Sequence, residues 1–177
     1  MNILLIQNEL LEFLLKKHAK DSNLKFTTRR NNRNSRLENG FWFIGNEKYF
    51  EFSFWEGKDG QTSLNNIGLT VRLDDQRQEL HYNFSCKFGN GRKIIEKLSQ
   101  ILNVPKVENP KKQYWEKTLI KNVKDINQIK NAIESFILNE KQIIDKIIAE
   151  DNGKEIDFIS DKKFTDQIRN LKKYRNI

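Results

Sequence analysis

Four arginines lie within eight residues of this chain, at Arg29, Arg30, Arg33 and Arg36, with no acidic residue among them. Guanidinium groups are planar, permanently charged donors that bind phosphate oxygens in pairs. The asparagine and serine residues between them favour turns and loops. The segment therefore predicts a basic arm that contacts the phosphates of a nucleic acid. A solvated loop without a ligand would have the same composition.

A second basic group follows the predicted sheet. Arg92 and Lys93 come directly after Gly89-Asn90-Gly91 and open a predicted helix, where two cations and the first free amide groups together favour a phosphate. The segment lacks the spacing of a P-loop, so nucleotide hydrolysis is not expected from it. Lys111 and Lys112 belong to the same basic stretch. We assign these four cations to a basic surface that flanks the arginine segment; a basic strand-to-helix turn without a ligand is the alternative.

The net charge of +8 is unevenly distributed along the 177 residues. Residues 1–40 carry a net charge of +4 and residues 91–124 a net charge of +6, whereas residues 41–90 carry −2 and residues 125–177 are neutral. Clustered positive charge favours polyanions such as nucleic acids, because binding releases their counterions. A chain rich in lysine and asparagine would also have a basic surface without any specific partner.

Eight aromatic residues lie between positions 41 and 55. The segment from Tyr49 to Trp55 alternates, which predicts a strand with Phe50, Phe52 and Phe54 directed into the core. The residues between them, and those at matching positions of neighbouring strands, then form the opposite, outer face of the sheet. The candidate binding site on that outer face consists of Trp42, Tyr49, Glu51, Trp55, Arg72 and His81.

This predicted outer face combines aromatic rings with a cation, a carboxylate and an imidazole. Such faces bind single-stranded nucleic acid by stacking bases on the rings, which is worth about 1–3 kcal/mol per base. Two other arrangements are consistent with the same alternation. In one, the polar face is left in solvent; in the other, helices of the same chain cover Trp42 and Trp55.

Patterns for catalysis and metal binding are sparse. Two histidines and one cysteine do not supply a zinc site built from cysteine and histidine, so neither a metal nor a cofactor is predicted. Glu56-Gly57-Lys58 has the acid-x-Lys spacing found in metal-dependent nucleases, but its glycine breaks the strand where that signature needs extended backbone. His81 could pair with Ser53 or Ser85, although neither serine lies in a nucleophile elbow. No catalytic residue is assigned, and a binding protein is predicted rather than an enzyme.

The periodicity of the apolar residues predicts an α+β fold. Four or five strands joined by short turns form an antiparallel meander sheet, packed by an N-terminal helix and by C-terminal helices. Residues 1–124 form the sheet domain, and residues 125–177 form a helical extension on the same core, so the chain is a single domain. The predicted helices cover residues 2–19, 92–102, 125–150 and 161–174, and the predicted strands cover residues 41–45, 48–56, 67–73, 80–87 and 114–120.

Composition favours a soluble, cytoplasmic protein. The lone cysteine, Cys86, excludes an internal disulfide, as is usual in a reducing compartment. No uninterrupted apolar run approaches the length that spans a membrane. The apolar N-terminal segment also lacks the flanks of a signal peptide.

Three functions remain open from the sequence. The first is a non-catalytic nucleic-acid-binding protein that uses the arginine segment and the flanking basic surface. The second is a protein-interaction subunit, or a homodimer, that docks through its helices or its sheet face; the isoleucine-rich face of helix 125–150 is the candidate surface. The third is a metal-dependent nuclease with Glu51 or Glu56 at its site.

Overall fold

The computed structural model describes residues 2–57, 65–74, 77–86, 92–108, 113–152 and 155–175. Within these ranges the predicted α+β fold is confirmed. The helices are α1 (Ile3–Lys20), α2 (Arg92–Ile101), α3 (Ile126–Glu150) and α4 (Asp161–Lys172), with one 3-10 turn at Arg33–Ser35. The strands are β1 (Ile44–Gly45), β2 (Tyr49–Phe52), β3 (Trp55–Gly57), β4 (Asn65–Asp74), β5 (Arg77–Cys86), β6 (Lys106–Val107), β7 (Gln113–Lys121) and β8 (Ile156–Phe158).

Six of these strands form one antiparallel sheet in the order β1-β2-β4-β5-β7-β6. The long hairpin of β4 and β5 occupies its centre, where residues 65–74 pair with residues 77–86. The sheet therefore has one strand more than the upper end of the predicted range. The additional short strands β3 and β8 pair with each other in a separate two-stranded sheet.

The prediction of one continuous strand over residues 48–56 was wrong. Strand β2 ends at Phe52 because the backbone of Ser53 turns away from β4 to bond with Thr27. The Ser53 amide donates to Thr27 Oγ1 over 2.8 Å, and the Thr27 amide donates to the Ser53 carbonyl over 2.7 Å. The chain then continues as β3 and leaves the main sheet, taking Trp55 with it.

The predicted strand over residues 41–45 is also shorter than expected. Only Ile44 and Gly45 join the sheet, because the backbone before them bonds elsewhere. The Phe43 amide donates to Oε1 of Gln7, which is buried in α1. The Trp42 carbonyl accepts from the Arg29 amide over 2.7 Å.

The core lies between the inner face of the sheet and the helices. Side-chain oxygens of Asn2 and Asp125 accept hydrogen bonds from the first free amides of α1 and α3, which fixes where both helices begin. From α3, Phe136 packs against Phe54, Trp55 and Tyr82, with ring centroids 5.1–6.5 Å apart.

One hydrophobic core joins the two predicted parts of the chain. It contains buried side chains of the sheet together with those of α3 and α4, while the division at residue 124 stays a prediction. Most isoleucines on the predicted docking face of α3, among them Ile133 and Ile144, are buried in this core. None of the helices in the described ranges combines the length and the apolar composition needed to cross a membrane.

Candidate functional site on the outer face of the sheet

The sheet face opposite the helices is polar, yet it is largely buried. Residues that alternate with the core positions of β4 and β5 bond to one another and to β2. Asn83 donates to Thr70 Oγ1 over 2.9 Å, and Asn66 donates to Glu51 Oε1 over 2.7 Å. Burying polar groups is costly unless they find partners, so this face is an organised network rather than a solvated surface. The buried polar residues on this face are Asn66, Thr70, His81, Asn83 and Ser85.

At the centre of this network an imidazole lies between two carboxylates. Glu79 and His81 are two residues apart on β5 and therefore point to the same face. Glu116 reaches the same face from β7, because its position pairs with Asn83. The Nε2 atom of His81 lies 3.1 Å from Oε2 of Glu116, and its Nδ1 atom lies 3.6 Å from Oε1 of Glu79. We call Glu79, His81 and Glu116 the carboxylate–histidine cluster.

An arginine and a tyrosine hold the carboxylates of this cluster in place. Nη1 of Arg77 lies 3.0 Å from Oε1 of Glu79 and 3.1 Å from Oε1 of Glu116. The hydroxyl of Tyr114 donates to Oε2 of Glu116 over 2.8 Å. Burial and the nearby charge of Glu116 raise the pKa of Tyr114 well above its usual range, so this hydroxyl stays a donor at neutral pH.

His81 is only 1% exposed. Burial lowers its pKa to about 4, and the charges of Arg72 and Arg77 act in the same direction, against the opposing effect of Glu116. The imidazole is thus neutral at physiological pH, with one nitrogen protonated and the other carrying a lone pair. Within the described residues Nδ1 has no hydrogen-bond partner.

The donor atoms of the carboxylate–histidine cluster lie within 4.8 Å of one another. Two carboxylate oxygens and an imidazole nitrogen are a donor set that binds divalent transition metals. Alternatively, the same groups form an internal network in which Arg77 supplies the positive charge. The chemistry available to the cluster is therefore cation binding or proton exchange.

A second group of candidate binding residues lies at the β1–β2 edge of the same sheet. Tyr49 pairs with Arg72 across β2 and β4, and the Arg72 guanidinium lies 5.0 Å from the centre of the Tyr49 ring. Arg29 donates to the carbonyls of Phe41 and Gly45, over 3.0 Å and 2.8 Å, and so lies beside the start of β2. Burial and the nearby charge of Arg36 lower the pKa of Arg29, although it remains a cation.

The arginine segment is folded against the protein. Its 3-10 turn contains Asn34 and Ser35 at positive φ angles of 56° and 53°, and Asn32 Oδ1 accepts from the amide of the buried Leu37 over 2.8 Å. Arg36 forms an ion pair with Glu47 and stacks on the Phe41 ring.

The other two arginines of the segment differ in their contacts. Arg30 forms an ion pair with Glu56, a buried carboxylate that also accepts from Lys163 over 2.7 Å. Arg33 is exposed and forms no ion pair within the part of the chain that the structure describes. Glu56 lies on β3, outside the main sheet, whereas Glu51 lies on the outer face.

The prediction that Trp42 and Trp55 lie on the outer face was wrong, because helices of the same chain cover both rings. Trp42 is 4% exposed and donates from Nε1 to Asn8 of α1 over 2.6 Å. Trp55 is 1% exposed and donates from Nε1 to Asp145 of α3 over 2.9 Å. The other four predicted residues of this site do lie on the outer face: Tyr49, Glu51, Arg72 and His81.

The flanking basic surface is described only in part. Arg92 and Lys93 are exposed in the first turn of α2, where Arg92 forms an ion pair with Glu96 over 2.7 Å. Lys111 and Lys112 lie outside the described residues. The structure therefore places two of these four cations at the surface.

Sequence reasoning missed Glu79, Tyr114 and Glu116. Glu79 precedes His81 by two residues, so the two side chains share a face if both lie on one strand. The predicted strand began at Leu80 and left Glu79 out, whereas β5 begins at Arg77. Tyr114 and Glu116 alternate within a predicted strand, but alternation does not say which strand is the neighbour. Their place beside His81 depends on the β5–β7 pairing, which includes an irregularity between Leu80 and His81.

Comparison with known proteins gives no further guidance: no protein-family model, curated protein or solved structure matches this chain. The function is therefore inferred from the chemistry of the site itself.

Proposed function

We propose that this protein binds nucleic acid at the β1–β2 edge of its sheet and over the neighbouring basic surface. One observation carries the proposal: the Arg72 guanidinium lies over the partly exposed ring of Tyr49, and Arg29, from a separate segment of the chain, bonds to Gly45 and interacts electrostatically with Tyr49. A tyrosine ring and a guanidinium plane both stack on bases, and guanidinium groups also bind phosphates. The edge thus offers stacking and charge together.

The surrounding cations support attraction of a polyanion. Arg33 and Lys93 are exposed and form no ion pair within the described ranges, so their charges are available to phosphates. The charges of Arg30 and Arg36 are partly neutralised by Glu56 and Glu47. The contribution of the arginine segment therefore comes chiefly from Arg33 and from the position of Arg29. The single cysteine, which is buried, is compatible with the cytoplasmic location predicted from the sequence.

Binding to labelled single-stranded DNA and RNA oligonucleotides, measured by fluorescence anisotropy across a salt titration, tests this proposal. Tyr49→Leu removes a stacking platform and is expected to weaken binding about 5-fold or more, since one stacked base contributes about 1–3 kcal/mol. Arg72→Gln and Arg33→Gln should each weaken binding and make its salt dependence shallower. Lys16→Gln, an exposed lysine of α1, removes the same charge far from the edge and serves as the control. Equal affinities for all four variants and the wild type would reject the proposed surface.

A metal-dependent nuclease is the second candidate, favoured by the acidic residues and His81 gathered on the same face. It predicts that oligonucleotides are cleaved when Mn²⁺ or Mg²⁺ is added and that Glu116→Gln abolishes cleavage. If the oligonucleotides remain intact after incubation with both ions, the nuclease candidate is rejected and nucleic-acid binding without cleavage is the function that remains. Docking of a protein partner through α3 has less support, because most isoleucines on its docking face are buried in the core. The exposed large apolar residues of α3 are Leu138 and Ile143.

A further inference from the structure

The carboxylate–histidine cluster contains a polar atom that its surroundings do not satisfy. Nδ1 of His81 is buried and has no hydrogen-bond partner within the described residues, and the carboxylate oxygen of Glu79 lies 3.6 Å away. Nε2 of the same ring lies 3.1 Å from Oε2 of Glu116, so both ring nitrogens lie next to carboxylate oxygens, and in a neutral imidazole one of the two carries a lone pair. A lone pair and a carboxylate repel each other unless a positive charge lies between them.

We propose that Glu79, Nδ1 of His81 and Glu116 bind one divalent transition-metal ion. Two independent observations support the site: three donor groups lie within 4.8 Å of one another, and His81, which is 1% exposed, has an unsatisfied Nδ1 atom 3.6 Å from Oε1 of Glu79. Metal–ligand bonds of about 2.0–2.2 Å place opposite donor atoms up to about 4.4 Å apart. Small rotations of the two glutamate side chains would bring the donors, now within 4.8 Å of one another, to that separation.

The donor set defines the class of metal. Imidazole and carboxylate ligands suit Zn²⁺, Mn²⁺, Co²⁺ and Fe²⁺, whereas Mg²⁺ and Ca²⁺ prefer ligands that are all oxygen. Three protein ligands leave at least one coordination position for water or for a ligand oxygen. The hydroxyl of Tyr114 donates to Oε2 of Glu116 over 2.8 Å, an outer hydrogen bond of the kind that orients a metal ligand.

Arg77 is the internal competitor for this position. Its Nη1 atom lies between the same two carboxylates, at 3.0 Å and 3.1 Å, and its side chain is 48% exposed, so it has room to move into solvent. A metal ion and Arg77 therefore compete for the two glutamates. Removing the guanidinium should strengthen metal binding, whereas removing either glutamate should weaken it.

The test uses the full chain after treatment with a chelator, and the probes are Zn²⁺ by titration calorimetry and Co²⁺ by visible absorption. We expect one ion per chain, at least 10-fold weaker binding in Glu79→Gln and Glu116→Gln, and tighter binding in Arg77→Gln. Glu96→Gln is the matched control, because Glu96 also pairs with an arginine but lies on α2. The control should bind like the wild type. Wild-type protein that binds no ion, or that binds it equally in all variants, would overturn the proposal.

A measurement on the wild type covers the case in which a variant fails to fold. In ¹⁵N spectra of histidine-labelled protein, Zn²⁺ should shift the Nδ1 resonance of His81 and leave Nε2 protonated. A His81 ring that is protonated on both nitrogens at pH 7, and that Zn²⁺ does not alter, would instead be an imidazolium held by two carboxylates, and the proposal would be wrong. Because the probes are metal ions alone, the result does not depend on the proposed nucleic-acid binding.

Discussion

Mild acid should destabilise the metal-free protein through His81. In the folded chain burial lowers the pKa of this residue to about 4 from an ordinary value of 6.5. Between pH 4 and pH 6.5, His81 binds a proton in the unfolded chain but not in the folded chain, so unfolding becomes more favourable as the pH falls. The stabilisation is complete above pH 6.5 and is lost progressively toward pH 4.

The size of this effect follows from the pKa difference. One pKa unit corresponds to about 1.4 kcal/mol, so the shift of His81 is worth about 3 kcal/mol of unfolding free energy at pH 7. Solvent screening does not reduce this figure much, because the side chain is almost completely buried. A loss of this size is a large fraction of the stability of an ordinary domain.

Urea unfolding in EDTA, from pH 7 to pH 4, measures the effect. Other carboxylates titrate near the lower end of this range, so the informative quantity is the difference between the wild type and His81→Gln at each pH. The stability of the wild type relative to the variant should fall by about 3 kcal/mol between pH 7 and pH 4.

Two results would refute this reasoning. A difference that stays constant over the whole range would mean that His81 has the same pKa in both states. A difference that grows toward low pH would mean that the folded protein prefers the charged ring, held as an imidazolium between Glu79 and Glu116.

Three further predictions concern the core and the outer face. Phe136→Ala should cost about 3–5 kcal/mol in urea unfolding because it empties the contact with Tyr82 and Trp55, while Leu138→Ala, at an exposed position of α3, should change stability by less than about 0.5 kcal/mol. Tryptophan emission should be blue-shifted and poorly quenched by acrylamide, because all three tryptophans are buried; efficient quenching would contradict the helix cover over Trp42 and Trp55. Gly68→Ala should cost about 1–3 kcal/mol, because the new Cβ would overlap the carboxylate of Glu51, and Glu51→Ala should rescue part of that loss. An unchanged unfolding midpoint in Gly68→Ala would argue against this contact.

The alternating pattern predicted the central strands and their faces well, because each residue in a continuous strand points opposite to its neighbour. It therefore placed Tyr49, Glu51, Arg72 and His81 on the outer face. The same rule failed at Trp55, since Ser53 interrupts the strand by bonding to Thr27, a partner 26 residues away. Such a contact leaves no local pattern in the sequence.

The site was harder to predict than the fold for a related reason. Strand periodicity assigns a face to each residue, but the carboxylate–histidine cluster requires knowledge of which strands are neighbours. Glu116 meets His81 only because β7 pairs with β5. Strand β6, which lies between α2 and β7 in the sequence, pairs with the other edge of β7. From the sequence, Glu116 was one of 24 acidic residues with no reason to be singled out.

The charge of the cluster links the two proposals. With His81 neutral, Glu79 and Glu116 outweigh Arg77, and the group carries a formal charge of −1, which repels a polyanion from the centre of the outer face. A divalent ion that takes the place of Arg77 would neutralise the two carboxylates. Phosphates bound at the Tyr49 edge would then no longer be repelled by the cluster, and an open position on the ion is where a phosphate oxygen would bind. The metal would thus decide whether the outer face extends the nucleic-acid surface or ends it.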